Sequence, residues 1–82
     1  MAKIVMYTTT TCPFCKMEKA YLESKNVNFS EILVDENPAE AQKMIAISGQ
    51  MGVPFTVITK DSGENVNILG FDQKKIDEAL GF

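Results

Sequence analysis

The two cysteines of this chain, Cys12 and Cys15, are separated only by Pro13 and Phe14. They follow the apolar run 4–7 and precede a segment with helical periodicity, so we expect both sulfurs at one end of a helix. A disulfide across so short a loop removes little entropy from the unfolded chain and adds little stability. The spacing therefore favours a reversible dithiol/disulfide pair over a structural crosslink.

Cys12 is predicted to be the nucleophile, because unpaired N–H groups and the dipole at a helix N-terminus favour a thiolate. Cys15 lies one turn on and is predicted to be the resolving thiol, which attacks a mixed disulfide on Cys12. Pro13 presets the first turn and removes a backbone donor near Cys12. Lys16 and Lys19 either add positive potential or are simply solvated side chains.

Composition indicates the domain organisation of the chain and its cellular compartment. A chain of 82 residues with 45% hydrophobic and 23% charged content predicts one globular domain over residues 1–82. Two cysteines are too few for a disulfide-stapled secreted scaffold, and no apolar stretch suits a signal peptide or membrane span. We therefore expect a cytoplasmic monomer that does not associate with membranes.

The net charge and the absence of histidine argue against two further kinds of site, for nucleic acids and for metals. A net charge of −3 without a large basic cluster argues against nucleic-acid binding. The chain has no histidine, and so it lacks the usual general base and the commonest metal ligand. We expect no metal site and no tightly bound cofactor.

The periodicity and capping signals predict the elements that position the cysteines. The order is β-α-β-α-β-β-α, an α/β arrangement with a four-stranded mixed sheet, helices on both faces, and parallel first strands. The predicted strands are 4–8, 28–34, 55–59 and 65–69, with a turn at 61–63. The first helix runs from Pro13 to about Asn26, with an inner stripe of Met17, Ala20, Tyr21 and Ser24. The other two helices start at the N-caps Asn37 and Asp72 and end at Gly49 and Gly81.

These features resemble the glutaredoxin family of the thioredoxin superfamily over nearly the whole chain. The resemblance rests on Cys-Pro-Phe-Cys at 12–15, on the segment 48–54 ending in Val53-Pro54, and on Gly-Phe-Asp at 70–72. It implies a thioredoxin-like fold and a thiol–disulfide oxidoreductase that reduces protein disulfides and glutathione mixed disulfides, with glutathione as co-substrate. It also implies a cis Val53–Pro54 bond that brings the Val53 backbone beside the dithiol, where a thiol peptide would pair like an added strand. Taken alone, Pro54 is also compatible with a simple strand start.

The resemblance implies substrate contacts at Val53, Pro54 and the segment Gly70, Phe71 and Asp72. Phe14 is predicted to contact substrate as well, because an exposed aromatic ring suits that role. Phe14 is expected to be partly exposed at the helix start, whereas Tyr7 is expected in the core. Asp72 is either a ligand contact or an ordinary N-cap.

Three positions depart from glutaredoxins that bind glutathione. Leu69 replaces a glycine, Gln73 replaces an aspartate, and Thr9 replaces a lysine or arginine. The same departures occur in glutaredoxin-like redoxins that are reduced by thioredoxin reductase and donate to ribonucleotide reductase. That class is the first alternative, with thioredoxin reductase and ribonucleotide reductase as partners.

A second alternative is an iron–sulfur cluster-binding module. One cysteine pair supplies only two protein ligands, so a cluster would need a dimer or glutathione for the remaining ligands. Brown protein with visible absorbance would favour this module, and colourless protein the oxidoreductase.

Overall fold

The chain has the predicted element order in a computed structural model that describes residues 3–81. The strands are β1 (Lys3–Thr8), β2 (Ser30–Leu33), β3 (Phe55–Thr59) and β4 (Asn65–Leu69), and the helices are α1 (Pro13–Ser24), α2 (Pro38–Ser48) and α3 (Gln73–Leu80). α1 ends before the predicted Asn26, which turns the chain with a φ of 56°. Residues 1, 2 and 82 of the predicted domain lie outside the described range.

The strands form one mixed sheet in the order β2-β1-β3-β4. β1 and β2 are parallel and joined by α1, whereas β1–β3 and β3–β4 are antiparallel. The register aligns Tyr7 of β1 with Phe55 of β3, and Phe55 with Leu69 of β4. The end of β1, the start of β3 and the end of β4 therefore meet at one end of the sheet, beside the start of α1.

Each face of the sheet carries its own core, because side chains alternate along a strand. On the face covered by α1 and α3, the buried cluster contains Ile4, Met6, Leu22, Ile58, Ile68 and Ile76. On the opposite face, Tyr7 packs with Met44 of α2 and with Phe55. The predicted mixed sheet with helices on both faces is confirmed, as is the core position of Tyr7.

The prediction for the inner face of α1 is wrong at three of its four positions. Met17 is 52% exposed, and Ala20 and Ser24 are exposed too, while Tyr21 is half-buried. The buried side chains of α1 are instead Cys15, Glu18 and Leu22, which recur at the spacing of one helix face. A pattern that assigns every charged side chain to solvent misses this face, because it excludes Glu18.

The predicted helix ends are confirmed for α2 and α3. The Asn37 side chain accepts a hydrogen bond from the Glu40 N–H at 3.4 Å, and Asp72 accepts one from the Lys75 N–H at 3.1 Å. Both helices end at a glycine, Gly49 or Gly81, with a left-handed φ of 78°. Within residues 3–81, no helix has the length and apolar character needed to cross a membrane.

Candidate active site

Cys12 and Cys15 form a disulfide at the N-terminus of α1, with their Cα atoms 5.2 Å apart. Cys12 is the N-cap residue, and its Sγ accepts a hydrogen bond from the Cys15 backbone N–H at 3.1 Å. Pro13 is the first helical residue, where a missing N–H costs no intrahelical bond. The Cys12 sulfur therefore lies at the positive end of the helix, where negative charge on it would be stabilised.

The two sulfurs differ in accessibility. Cys12 is 8% exposed, and Cys15, one turn further into the interface between α1 and the sheet, is 2% exposed. Phe14, between them, is 61% exposed. The Cys12 side of the pair is therefore the more accessible one, next to an exposed aromatic ring.

A hydrogen-bonded loop holds the chain just before Cys12. The side chain of Asp35, which follows β2, accepts hydrogen bonds from the Thr10 N–H at 3.1 Å and from the Thr10 hydroxyl at 2.6 Å. These bonds hold the pKa of Asp35 below its usual value. The ionised carboxylate thus ties the approach to Cys12 to the end of a parallel strand.

The Val53–Pro54 bond is cis, as the resemblance implied. Pro54 is buried, and its carbonyl accepts a hydrogen bond from the Gly70 N–H at 2.7 Å. Among residues 3–81, neither the N–H nor the C=O of Val53 has a hydrogen-bond partner. The sheet register places this segment at the same end of the molecule as the dithiol, with free backbone groups.

The segment after β4 is hydrogen-bonded to Pro54 through its backbone, whereas its side chains contact α1 and α3. Gly70 adopts a φ of 78°, a conformation that other residues rarely take. The half-buried Phe71 ring packs against Tyr21 of α1, with ring centroids 5.9 Å apart. Asp72 caps α3. Substrate contacts by these residues stay predictions.

The two lysines of α1 differ in their pairing. Lys19 forms an ion pair with Glu31 at 3.2 Å, so its charge is largely compensated. Lys16 is exposed and forms no ion pair with any other described residue. Its uncompensated charge lies one turn from Cys12. In the part of the chain that the structure describes, no three or more acidic or cysteine side chains are grouped to hold a metal ion.

Sequence reasoning missed the polar groups beneath the dithiol. Glu18 is fully buried, and its Oε2 accepts a hydrogen bond from the Thr56 hydroxyl of β3. Its Oε1 is buried without a hydrogen-bond partner among the described residues. Burial raises the pKa of Glu18, and the Thr56 hydroxyl lowers it by less. The spacing from Cys15 to Glu18 was the available signal, since residues three apart share a helix face.

Comparison with known proteins agrees with this geometry. A family model described as glutaredoxin matches residues 4–62. An uncharacterized glutaredoxin-like 8.6 kDa protein in the rubredoxin operon of Clostridium pasteurianum is 42% identical over 77 residues, which is 94% of this chain and 96% of that protein. Glutaredoxin 3 of Escherichia coli K12 is 46% identical over 54 residues, covering 66% of this chain and 65% of that one.

A solved structure extends the similarity to the fold. The glutaredoxin-like protein NrdH-redoxin from Escherichia coli, described with a thioredoxin-like activity profile, superposes with a TM-score of 0.74. It is 28% identical, and the match covers 93% of this chain and 92% of that structure. Because the family model covers most of the chain and a relative matched over nearly its full length is 42% identical, the chain belongs to the glutaredoxin family and is a redox protein of the thioredoxin fold.

Proposed function

We propose that this protein is a cytoplasmic dithiol oxidoreductase that reduces protein disulfides and glutathione mixed disulfides, with glutathione as electron donor. The observation that carries the proposal is the Cys12 sulfur at the N-cap of α1, where it accepts the Cys15 N–H. As a thiolate, Cys12 attacks the substrate disulfide and forms a mixed disulfide. Cys15 or a glutathione thiolate then attacks the Cys12 sulfur and releases the reduced substrate.

Val53 is proposed to bind the backbone of the substrate. Its unpaired N–H and C=O lie at the dithiol end of the sheet and offer two hydrogen bonds to an extended peptide. Apolar side chains surround this end, with Phe14 61%, Met51 71% and Leu69 46% exposed. They suit contact with the apolar side chains that flank a disulfide.

A second candidate is a glutaredoxin-like redoxin that thioredoxin reductase reduces and that donates to ribonucleotide reductase. The similarity to NrdH-redoxin over 92% of that structure favours it. The missing basic residue at Thr9 and the missing carboxylate at Gln73 would weaken contacts to the two ends of glutathione. Asp72 already accepts the Lys75 N–H, which leaves it less available for a ligand.

The roles of the two cysteines are tested with a glutathionylated peptide and a protein disulfide. Cys12→Ser should have no measurable activity on either substrate, because it removes the only thiol at a helix N-terminus among the described residues. Cys15→Ser should lose activity on the protein disulfide but keep part of its activity on the glutathionylated peptide, where glutathione replaces the resolving thiol. Equal loss in both variants on the peptide would contradict the assigned roles.

The electron donor is tested by reducing the oxidised protein in parallel with glutathione and with NADPH plus thioredoxin reductase. We expect turnover with glutathione, and we expect Gln73→Asp to increase it by supplying a partner for the γ-glutamyl amine. Gln73→Glu is the matched control, with the same charge on a longer side chain. Turnover with thioredoxin reductase alone, together with no effect of Gln73→Asp, would contradict the use of glutathione. The second candidate function would then replace the first.

A further inference from the structure

Glu18 is a buried carboxyl group that the disulfide exchange described above does not use. It lies on α1 between Cys15 and Leu22, and all three side chains are at most 2% exposed. The hydroxyl that binds its Oε2 belongs to Thr56, on β3, which starts directly after Pro54. The carboxyl group therefore lies in the interface between the cysteine helix and the strand that follows the cis proline.

Few polar side chains are buried together with Glu18. The buried cluster on this face of the sheet is formed by hydrophobic residues of the sheet, α1 and α3. The polar members are Thr56 and Thr8, and the Thr8 hydroxyl is bound to Glu31 at 3.0 Å. Two ionisable residues of α1 already have partners, because Lys19 pairs with Glu31 and Tyr21 donates to Asp77. Lys16 is exposed on the outer face of the helix. Desolvation by burial raises the pKa of Glu18.

One oxygen of Glu18 is left without a partner. Oε1 is buried and forms no hydrogen bond with any described residue. A buried polar atom in this state is costly, whether it is an acceptor in the carboxylate or a hydroxyl donor in the acid. Residues three apart on a helix are neighbours, and helical side chains lean toward the N-terminus, which for Glu18 is the turn that holds Cys15. The group that changes its hydrogen-bonding capacity there is the Cys15 sulfur, which gains a proton when the disulfide is reduced.

We propose that Glu18 exchanges a proton with Cys15, as acceptor when Cys15 resolves the mixed disulfide and as donor when the disulfide is reduced. The proposal rests on the function proposed above and adds a residue to it. The α1–β3 interface holds Glu18 in place through Thr56, so the carboxyl group is ordered before the reaction. Its raised pKa brings it closer to that of a thiol, which makes transfer in both directions easier.

In the mixed disulfide, Cys12 Sγ is bonded to a substrate sulfur and Cys15 carries a thiol proton. The proton passes to Glu18, and the Cys15 thiolate attacks Cys12 Sγ, so that the Cys12–Cys15 bond forms and the bond to the substrate breaks. The substrate leaves as a thiolate and takes a proton from water. In the reverse direction, an incoming thiolate attacks Cys12, and the departing Cys15 sulfur recovers the proton from Glu18.

The test is a two-phase reaction of the reduced protein with a limiting amount of dithiobisnitrobenzoate, a disulfide whose released thiolate is coloured. The first phase reports attack by Cys12, and the second reports resolution by Cys15. In Glu18→Gln we expect the second phase to slow by on the order of 100-fold at neutral pH, the lower part of the usual range for general base catalysis. The deficit should shrink as the pH approaches about 8.5, where a free thiol ionises unaided.

Thr56→Val is the companion variant, because it keeps the carboxyl group and removes the hydroxyl that lowers its pKa. We expect the pH profile of its second phase to move to higher pH, whereas a purely structural role of Glu18 would leave the profile in place. A second phase in Glu18→Gln with the wild-type rate and pH profile would overturn the proposal, as would an unmoved profile in Thr56→Val. Absence of either phase in the wild-type protein would instead count against the proposed oxidoreductase function itself.

Discussion

At the scale of single residues, the two ends of the disulfide differ in what surrounds them. The Cys12 sulfur accepts a backbone N–H at the helix terminus, whereas Cys15 lies in the buried interface one turn from Glu18. A helix terminus stabilises a thiolate, and a buried carboxyl group can take up or release a proton. This asymmetry supports the proposed roles, in which Cys12 attacks the substrate and Cys15 resolves the mixed disulfide.

The residue-scale prediction concerns the exposed charge of Lys16. Reversing it in Lys16→Glu should slow alkylation of reduced Cys12 by iodoacetamide at neutral pH by about three- to ten-fold, because charges near a helix terminus act at this level. Lys60→Glu is the matched control, since Lys60 follows β3 at the opposite end of the sheet from the dithiol. Equal rates in both variants would make Lys16 a solvated side chain without influence on the thiolate.

At the scale of the elements, α1 positions the cysteines and also packs against one face of the sheet. Its inner face continues from Cys15 through Glu18 to Leu22, so the active site and the hydrophobic cluster are parts of the same stripe. The outer face carries Met17 and Lys16. A change at Leu22 therefore acts on the packing that fixes the whole helix, whereas a change at Met17 acts only at the surface.

This difference gives a prediction for stability. Leu22→Ala should lower the free energy of unfolding by about 2–5 kcal/mol, since Leu22 is 0% exposed and truncation leaves a cavity. Met17→Ala, at a position 52% exposed, should change it by less than about 0.5 kcal/mol. Denaturant unfolding of the oxidised proteins measures both. A larger loss in Met17→Ala would restore the inner stripe that the sequence predicted.

At the scale of the whole molecule, two carboxyl groups couple stability to pH in opposite directions. The pKa of Glu18 is raised above 4.5 by burial, so the folded chain holds this proton at pH values where the unfolded chain has lost it. Stability from Glu18 is therefore lost as the pH rises through its raised pKa. The pKa of Asp35 is lowered below 3.8 by Thr10, so its contribution is lost as the pH falls through that lowered value.

These two groups together favour the folded chain most between the two transitions, and each variant should flatten one side of the pH dependence. Glu18→Gln should remove the decline that begins above about pH 4.5, and Asp35→Asn should reduce the decline at acid pH. Unfolding by denaturant at a series of pH values measures both slopes. A wild-type and a Glu18→Gln protein with parallel pH dependence would show that Glu18 keeps its ordinary pKa in the folded state.

Features that depend only on residues close together in the chain can be predicted from the sequence alone. The Cys12–Cys15 spacing, the proline at the first helical position and the caps Asn37 and Asp72 all act within one or two turns of chain. They are therefore readable from local spacing. The element order follows from the same signals. That order predicted the mixed sheet, whereas the cis bond before Pro54 was implied by the glutaredoxin resemblance.

The polar contacts around the dithiol, by contrast, depend on the fold, because their partners are distant in sequence. Thr56 reaches Glu18 across 38 positions of sequence, and Thr10 reaches Asp35 across 25. A charged residue is assigned to solvent by any local pattern, because burial is costly unless a distant partner offsets it. The hydroxyl that makes the burial of Glu18 tolerable belongs to another element. Its role could be recognised only once the sheet had brought β3 against α1.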